Sequence, residues 1–258
     1  MAEHRRRVEH LMGTVFTFDL RDPTLPEEAV EDALGWLHRV DATFSTYLDS
    51  SVVNQLNRGE MRIADCPAEV GEVFELCAGV EADSAGYFST RWNGTLDPTG
   101  LVKGWSIERA SAMLSKAGSR SHAINGGGDI RTVGPAGPGQ PWQIGVADPL
   151  RPGEFLAIHE ASDLAVATSG TTERGAHIVN PFTGVPATEL AGVTVYGPDL
   201  ALADAYATAA VAMGAAAYDW LIRRPNYEAF LVSADGTFRR TVDLPGRRAA
   251  VPAGNGIA

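Results

Sequence analysis

The sequence predicts an α+β fold in which helices flank mixed or antiparallel sheets. Three observations carry this. A strand and then a helix open the chain, amphipathic helices fill its first half, and short alternating segments crowd its second half. No linker and no repeat period divides the 258 residues, so 1–258 read as one domain.

Residues 12–20 alternate as a strand does, with Val15 and Thr17 against Phe16 and Phe18. Pro26-Glu27-Glu28 then opens a helix carrying Val30, Ala33, Leu34 and Leu37 on one face. Residues 70–82 repeat the helical pattern through Val73, Phe74, Cys77 and Val80. Residues 105–116 do so through Ile107, Ala110, Met113 and Leu114, until Gly118 stops them. Short strands are expected at 122–124, 130–133, 142–147, 155–159, 164–168 and 192–196, followed by a helix over 202–213. Ala234-Asp235-Gly236 turns a strand at 229–233 into another at 238–241. The tail from Pro245, rich in Arg, Gly, Pro and Ala, is expected to fray.

Composition limits the partners. With 21 Lys+Arg against 32 Asp+Glu the net charge is −11, which repels phosphate backbones and anionic lipid. Neither nucleic acid nor membrane is expected as a partner. Cys66 and Cys77 are too few for a disulfide framework and fit no metal spacing. Arg5-Arg6-Arg7 ahead of an apolar run resembles a signal peptide, but the run is short and no small-residue cleavage site follows. Residues 200–217 contain Asp204 and are built from alanine, short of a membrane span. The expected location is cytoplasmic, which makes Asn93-Gly94-Thr95 a chance glycosylation match.

Several segments could carry chemistry. Asn125-Gly126-Gly127-Gly128-Asp129 lies between two short strands, where glycines let backbone amides approach an anion or a flat ring; a tight turn needing positive φ explains them equally. Asp204 and Thr208, one helical turn apart, offer two oxygens to a hard cation such as Mg²⁺. A first-turn aspartate and a back-bonded threonine are the plainer alternative. Thr168-Ser169-Gly170 ends a strand in a polar turn, and His177 downstream is either a general base or a structural histidine. Lys103-Gly104-Trp105 opens a helix where a lysine and free amides could hold phosphate, or where the lysine is merely solvated.

Taken in order along the chain, the motifs are more distinctive than any one alone. They run from Met12-Gly13-Thr14 through Phe44-Ser45-Thr46-Tyr47, Gly86-Tyr87-Phe88 and Asp97-Pro98-Thr99-Gly100-Leu101-Val102-Lys103-Gly104-Trp105 to Asn125-Gly126-Gly127-Gly128-Asp129. They continue with Ala167-Thr168-Ser169-Gly170, His177-Ile178-Val179-Asn180-Pro181-Phe182-Thr183-Gly184, Thr194-Val195 and Ala203-Asp204-Ala205-Tyr206-Ala207-Thr208-Ala209. The sequence resembles the FAD:protein FMN transferase family, the ApbE-like flavin transferases.

The resemblance implies a Mg²⁺-dependent enzyme that cleaves FAD and attaches the FMN half to a Thr or Ser hydroxyl of an acceptor flavoprotein, releasing AMP. By the same resemblance His177 is the catalytic residue, and Asp204, Thr208 and the Ser106 backbone carbonyl are metal ligands. Met12, Tyr47, Gly86, Tyr87, Phe88, Lys103, Arg109, Asn125, Gly127, Asp129, Thr168, Ser169 and Val179 fall at positions expected to bind FAD. The acceptor would carry an Asp-x-x-Ser/Thr-Gly-Ala-Thr type motif. A Mg²⁺-dependent FAD pyrophosphatase and a noncatalytic flavin-binding protein remain as alternatives. The chain departs from the family at Asn180, where aspartate is more usual, and in the shortness of residues 90–94. With no secretion signal or lipid-attachment cysteine recognisable in the sequence, the non-exported branch of the family is expected.

Overall fold

A computed structural model describes residues 4–92, 94–171, 175, 177–241 and the backbone of 249–250. The chain opens with a hairpin. Strands β1 (Arg5–Leu11) and β2 (Thr14–Leu20) pair antiparallel across Met12-Gly13, both at positive φ as a two-residue hairpin turn requires. The arginines expected to precede the first strand thus form a strand themselves. Arg5 and Arg7 pair with Glu27 and Glu31 of helix α1 (Glu27–Phe44), which buries Val30, Ala33, Leu34 and Leu37 as the spacing predicts. Helix α2 (Val52–Asn57), capped by Ser51, escapes the periodicity, as does the hairpin of β3 (Arg91–Trp92) and β4 (Thr95–Leu96) that follows the expected α3 (Ala68–Asp83). Asn57 fastens that hairpin to α2 by bonds to both backbone groups of Leu96.

Helix α4 (Thr99–Lys116) begins six residues before the expected 105, because Asp97 Oδ1 accepts the Thr99 N–H at 2.9 Å and Pro98 fits a helix start. Lys103 therefore sits in the second turn of α4, not at its first residue. Strands β5 (His122–Gly126) and β6 (Asp129–Val133) follow, then β7 (Trp142–Ala147), β8 (Phe155–Ala161), β9 (Ala165–Gly170) and β10 (Leu190–Gly197). Asp199 caps helix α5 (Leu200–Met213) by accepting the Leu202 N–H, and the short α6 (Ala217–Leu221) continues its path. Strands β11 (Glu228–Ser233) and β12 (Phe238–Arg240) form the expected hairpin. The rest of the tail from Pro245 and the Asn93 sequon lie outside the described residues, but Ala249–Ala250 form strand β13 against β8.

One eight-stranded sheet, in the order β1-β2-β5-β6-β9-β10-β11-β12, spans the molecule, and a three-stranded sheet, β13-β8-β7, covers part of one face. All pairs between these strands are antiparallel. On the other face lie α1, α4 and α5. Alternation along the strands sorts side chains between two cores: Val193 and Val195 of β10 face the helices, while Tyr196 joins Trp142, Ile144 and Phe230 between the sheets. Strand β10 is buried along its whole length because both faces are covered. Residues Leu200–Leu221 are long and apolar enough to cross a membrane by length and composition, but 72% of that window is buried in this core.

The crossing of α4 and α5 sets the site. A Cβ on Gly104 would strike the Leu200 carbonyl and stand 2.8 Å from Asp204 Cβ, so only glycine permits this approach. Small residues of α5, including Ala203 and Ala207, lie fully buried along it. Glu108 of α4 completes the joint by accepting the Leu200 N–H at 2.8 Å.

Candidate active site

A cleft of about 410 Å³ opens where α4 and α5 meet the ends of β9 and β10. Tyr87, Phe88, Lys103, Gly127, Thr168, Ser169, His177, Val179, Asp204 and Thr208 all line it. Residues separated by more than a hundred positions are thus brought to one hollow, of a size suited to a small-molecule ligand.

Asp204 and Thr208 project from successive turns of α5, as their spacing predicts. Asp204 is 4% exposed, and its Oδ2 accepts the Gly104 N–H at 2.9 Å. Thr208 Oγ1 lies 3.2 Å from Ser169 Oγ, which joins the helix to the strand floor. A carboxylate and hydroxyls held this way suit an oxygen-seeking divalent cation that takes its remaining ligands from water and phosphate. No group of three His, Cys, Asp or Glu side chains gathers as a metal cluster among the described residues. The Ser106 carbonyl accepts the Trp36 indole N–H at 3.0 Å, and Ser106, fully buried, lies outside the cleft lining.

Lys103 enters from α4 and forms an ion pair with Asp129, its Nζ also 3.9 Å from Asp204 Oδ2. The Lys103 ammonium thus lies between carboxylates of two different elements.

His177 stands exposed at the cleft mouth. Its Nδ1 lies 3.0 Å from the Gly175 carbonyl, which can only accept, so Nδ1 carries the hydrogen and the lone pair of the neutral ring sits on Nε2. The following turn is built by Asn180, whose Oδ1 accepts the Phe182 and Thr183 N–H groups while Nδ2 donates to Ala212 O at the end of α5. Asn180 thereby ties the histidine segment to the helix that carries Asp204. The sequence marked the position as a departure without showing this double function.

The glycine run resolves into several roles. Gly127 and Gly128, at φ 58° and 92°, form the turn between β5 and β6, so the tight-turn explanation holds for both. Gly127 also lines the cleft, whereas a Cβ on Gly126 would lie 2.7 Å from Phe16. Asn125 Oδ1 caps the turn at Gly128 N. Asp129 is fully buried behind the turn, outside the lining.

Other expected contacts stand apart from the cleft. Arg109 pairs with Glu72 at 2.8 Å and stacks 4.9 Å from the Trp36 ring. Tyr47 is 93% exposed. Met12 packs toward Ser106, and Gly86 lies beneath the Phe182 ring. Thr194, one of the ordered motif residues, bonds Thr168 at 3.0 Å from β10, whereas the sequence reading missed the loop after β7, where Asp148 and Pro149 form one wall. That loop carries no local signal, since polar turns are common.

Comparisons with known proteins extend the geometry. The FAD:protein FMN transferase of Rhodobacter capsulatus is 30% identical over 168 residues, covering 62% of this chain and 32% of that protein. That of Haemophilus influenzae is 28% identical over 130 residues, 46% of this chain and 38% of that one. The matches span about a third of the length of these curated relatives. Among solved structures, the ApbE protein of Thermotoga maritima superposes with a TM-score of 0.83 at 22% identity, covering 93% of this chain and 97% of that one. The flavin transferase ApbE of Vibrio cholerae gives 0.80 at 19%, with the same coverage. These two share the fold. A model of the ApbE family matches residues 89–231, the stretch that contributes Lys103, His177, Asp204 and Thr208 to the cleft, and the chain belongs to that family.

Proposed function

We propose that this protein transfers the FMN half of FAD to a Thr or Ser hydroxyl of an acceptor flavoprotein, forming a phosphoester and releasing AMP. The observation that carries this reading is the convergence of His177 with Asp204, Thr208 and Lys103 on one cleft. Those residues suit transfer from a pyrophosphate. Asp204 and Thr208 would hold Mg²⁺, which when bound neutralises charge on the phosphates and on the departing AMP oxygen. The Lys103 ammonium adds positive charge on the same side. Tyr87, half-buried in the cleft wall over the core residue Phe88, offers an apolar ring to a flat ligand.

His177 Nε2, at the open mouth, accepts the proton of the incoming hydroxyl as its oxygen attacks phosphorus. The bond between phosphorus and the bridging oxygen breaks, and AMP leaves with the electron pair. A positioned base of this kind contributes about 10²- to 10⁴-fold. A cytoplasmic setting with intracellular acceptors goes with the proposal, and the two free thiols, Cys66 and Cys77, suit a reducing compartment.

Water in place of the hydroxyl would make the same residues an FAD pyrophosphatase. AMP release from FAD and Mg²⁺, with and without an acceptor bearing the Asp-x-x-Ser/Thr-Gly-Ala-Thr type motif, separates the two. The transferase reading expects AMP in step with acceptor. Equal release without acceptor would favour hydrolysis, and no release at all, with FAD still bound, would favour a noncatalytic flavin-binding protein.

A further inference from the structure

Asp129 is fully buried and does not line the cleft, yet it touches two groups that do. Its Oδ1 accepts the Thr168 N–H at 3.2 Å, and its other oxygen forms the ion pair with Lys103. The same ammonium stands 3.9 Å from Asp204 Oδ2. Two buried carboxylates from different elements thus stand within ion-pair reach of the same ammonium.

We propose that Asp129 is a positioning residue that keeps the Lys103 ammonium off Asp204, leaving that carboxylate open to a divalent cation. The inference rests on the reading of Asp204 and Thr208 as the cation site. Lysine is a compact charge on a flexible stem, so its place is set by whichever carboxylate attracts it more. In a buried site such attractions are far stronger than in water. Asp204 cannot turn from an approaching ammonium, because Gly104 N–H holds its Oδ2 and α5 is packed against α4. Without the charge at position 129, Lys103 settles on Asp204, and a cation must displace it before binding. With the charge in place, Lys103 stays beside the cation site and faces the phosphates.

Mn²⁺ affinity of the full chain, measured by the electron paramagnetic resonance of free Mn²⁺ without FAD, reads this directly. Asp129→Asn keeps the shape and an acceptor for Thr168. It is expected to weaken Mn²⁺ about tenfold, as loss of an outer-shell partner commonly does. In a Lys103→Met background the same change is expected to cost less than about twofold, since Asp129 acts through the lysine. An equal loss in both backgrounds, or none in the first, would overturn the proposal. A crystal structure of Asp129→Asn gives a second test that holds even where Lys103→Met fails to fold. Nζ should bond to Asp204, and Nζ unmoved beside position 129 would contradict the idea. Mn²⁺ affinity unaffected by Asp204→Asn would remove the cation site itself, whereas absent FMN transfer with this Mn²⁺ pattern intact would overturn only the functional reading.

Discussion

His177 and His122 show how the same side chain takes different roles with environment. His177 is exposed and lines the cleft, with Nδ1 fixed by Gly175 O. His177→Ala should lower the rate of FMN transfer about 10²- to 10⁴-fold while FAD affinity, read from flavin fluorescence, changes little. Asp204→Asn should abolish the response of the rate to added Mg²⁺, checked by titrating metal into EDTA-treated protein. His122 is buried between Ser111 Oγ at 2.8 Å and Ser119 Oγ at 2.9 Å. Burial, helped by the Arg131 charge, pushes its ring down to about 4. Above about pH 6.5 the ring is neutral folded or unfolded and costs nothing. As pH falls from there toward 4, the unfolded chain takes up a proton that the folded one resists, and stability is lost, by about 3 kcal/mol in full. Urea unfolding across this range should show His122→Asn with a pH slope shallower by about one proton.

Helices and strands follow from the sequence to different degrees. The faces of α1 and α3 and the alternation of β7 are written in the spacing of apolar residues, and those elements stand where that spacing places them. Strand β1 is not, because its arginines and glutamate lie on a charged sheet edge instead of a half-buried face. The start of α4 was hidden for another reason: Thr99 and Gly100 are poor helix formers, and the turn that leads into them rests on a side-chain bond from Thr99 N–H to Asp97, not on a pattern. The joint between α4 and α5 was equally hidden. Gly104 reads locally as a helix weakness, and its necessity appears only once Leu200 and Asp204 are across from it. Gly104→Ala should therefore destabilise the protein by about 1–3 kcal/mol in denaturant unfolding and loosen cation binding, since the added Cβ pushes α5 away. An alanine variant as stable as the parent would show that the helices do not depend on this contact.

At the scale of the whole molecule, the ordered motifs made most of the site legible. His177, Lys103, Thr168, Ser169, Asp204 and Thr208 reach one cleft from separate elements. What the motifs did not convey is which of their residues face the cleft and which hold others in place. Asp129, Asn125 and Asn180 serve turns and partners, and Arg109 serves Trp36 and Glu72. Charge explains the economy of basic groups. Among the described residues that line the cleft, Lys103 and Arg91 stand beside the carboxylates of Asp97, Asp148 and Asp204, so on the proposed reading an anionic ligand of a protein of net −11 is held locally, with a cation, against the field of the surface. The thiol of Cys77, buried in the helical core and pushed up to about 12, should stay unmodified by a thiol reagent until the protein unfolds. The most direct measurement is the intact mass of an acceptor carrying the Asp-x-x-Ser/Thr-Gly-Ala-Thr type motif after incubation with this protein, FAD and Mg²⁺. A gain equal to one FMN phosphoester, absent with His177→Ala or with EDTA, is expected; an acceptor of unchanged mass while FAD is consumed would contradict transfer.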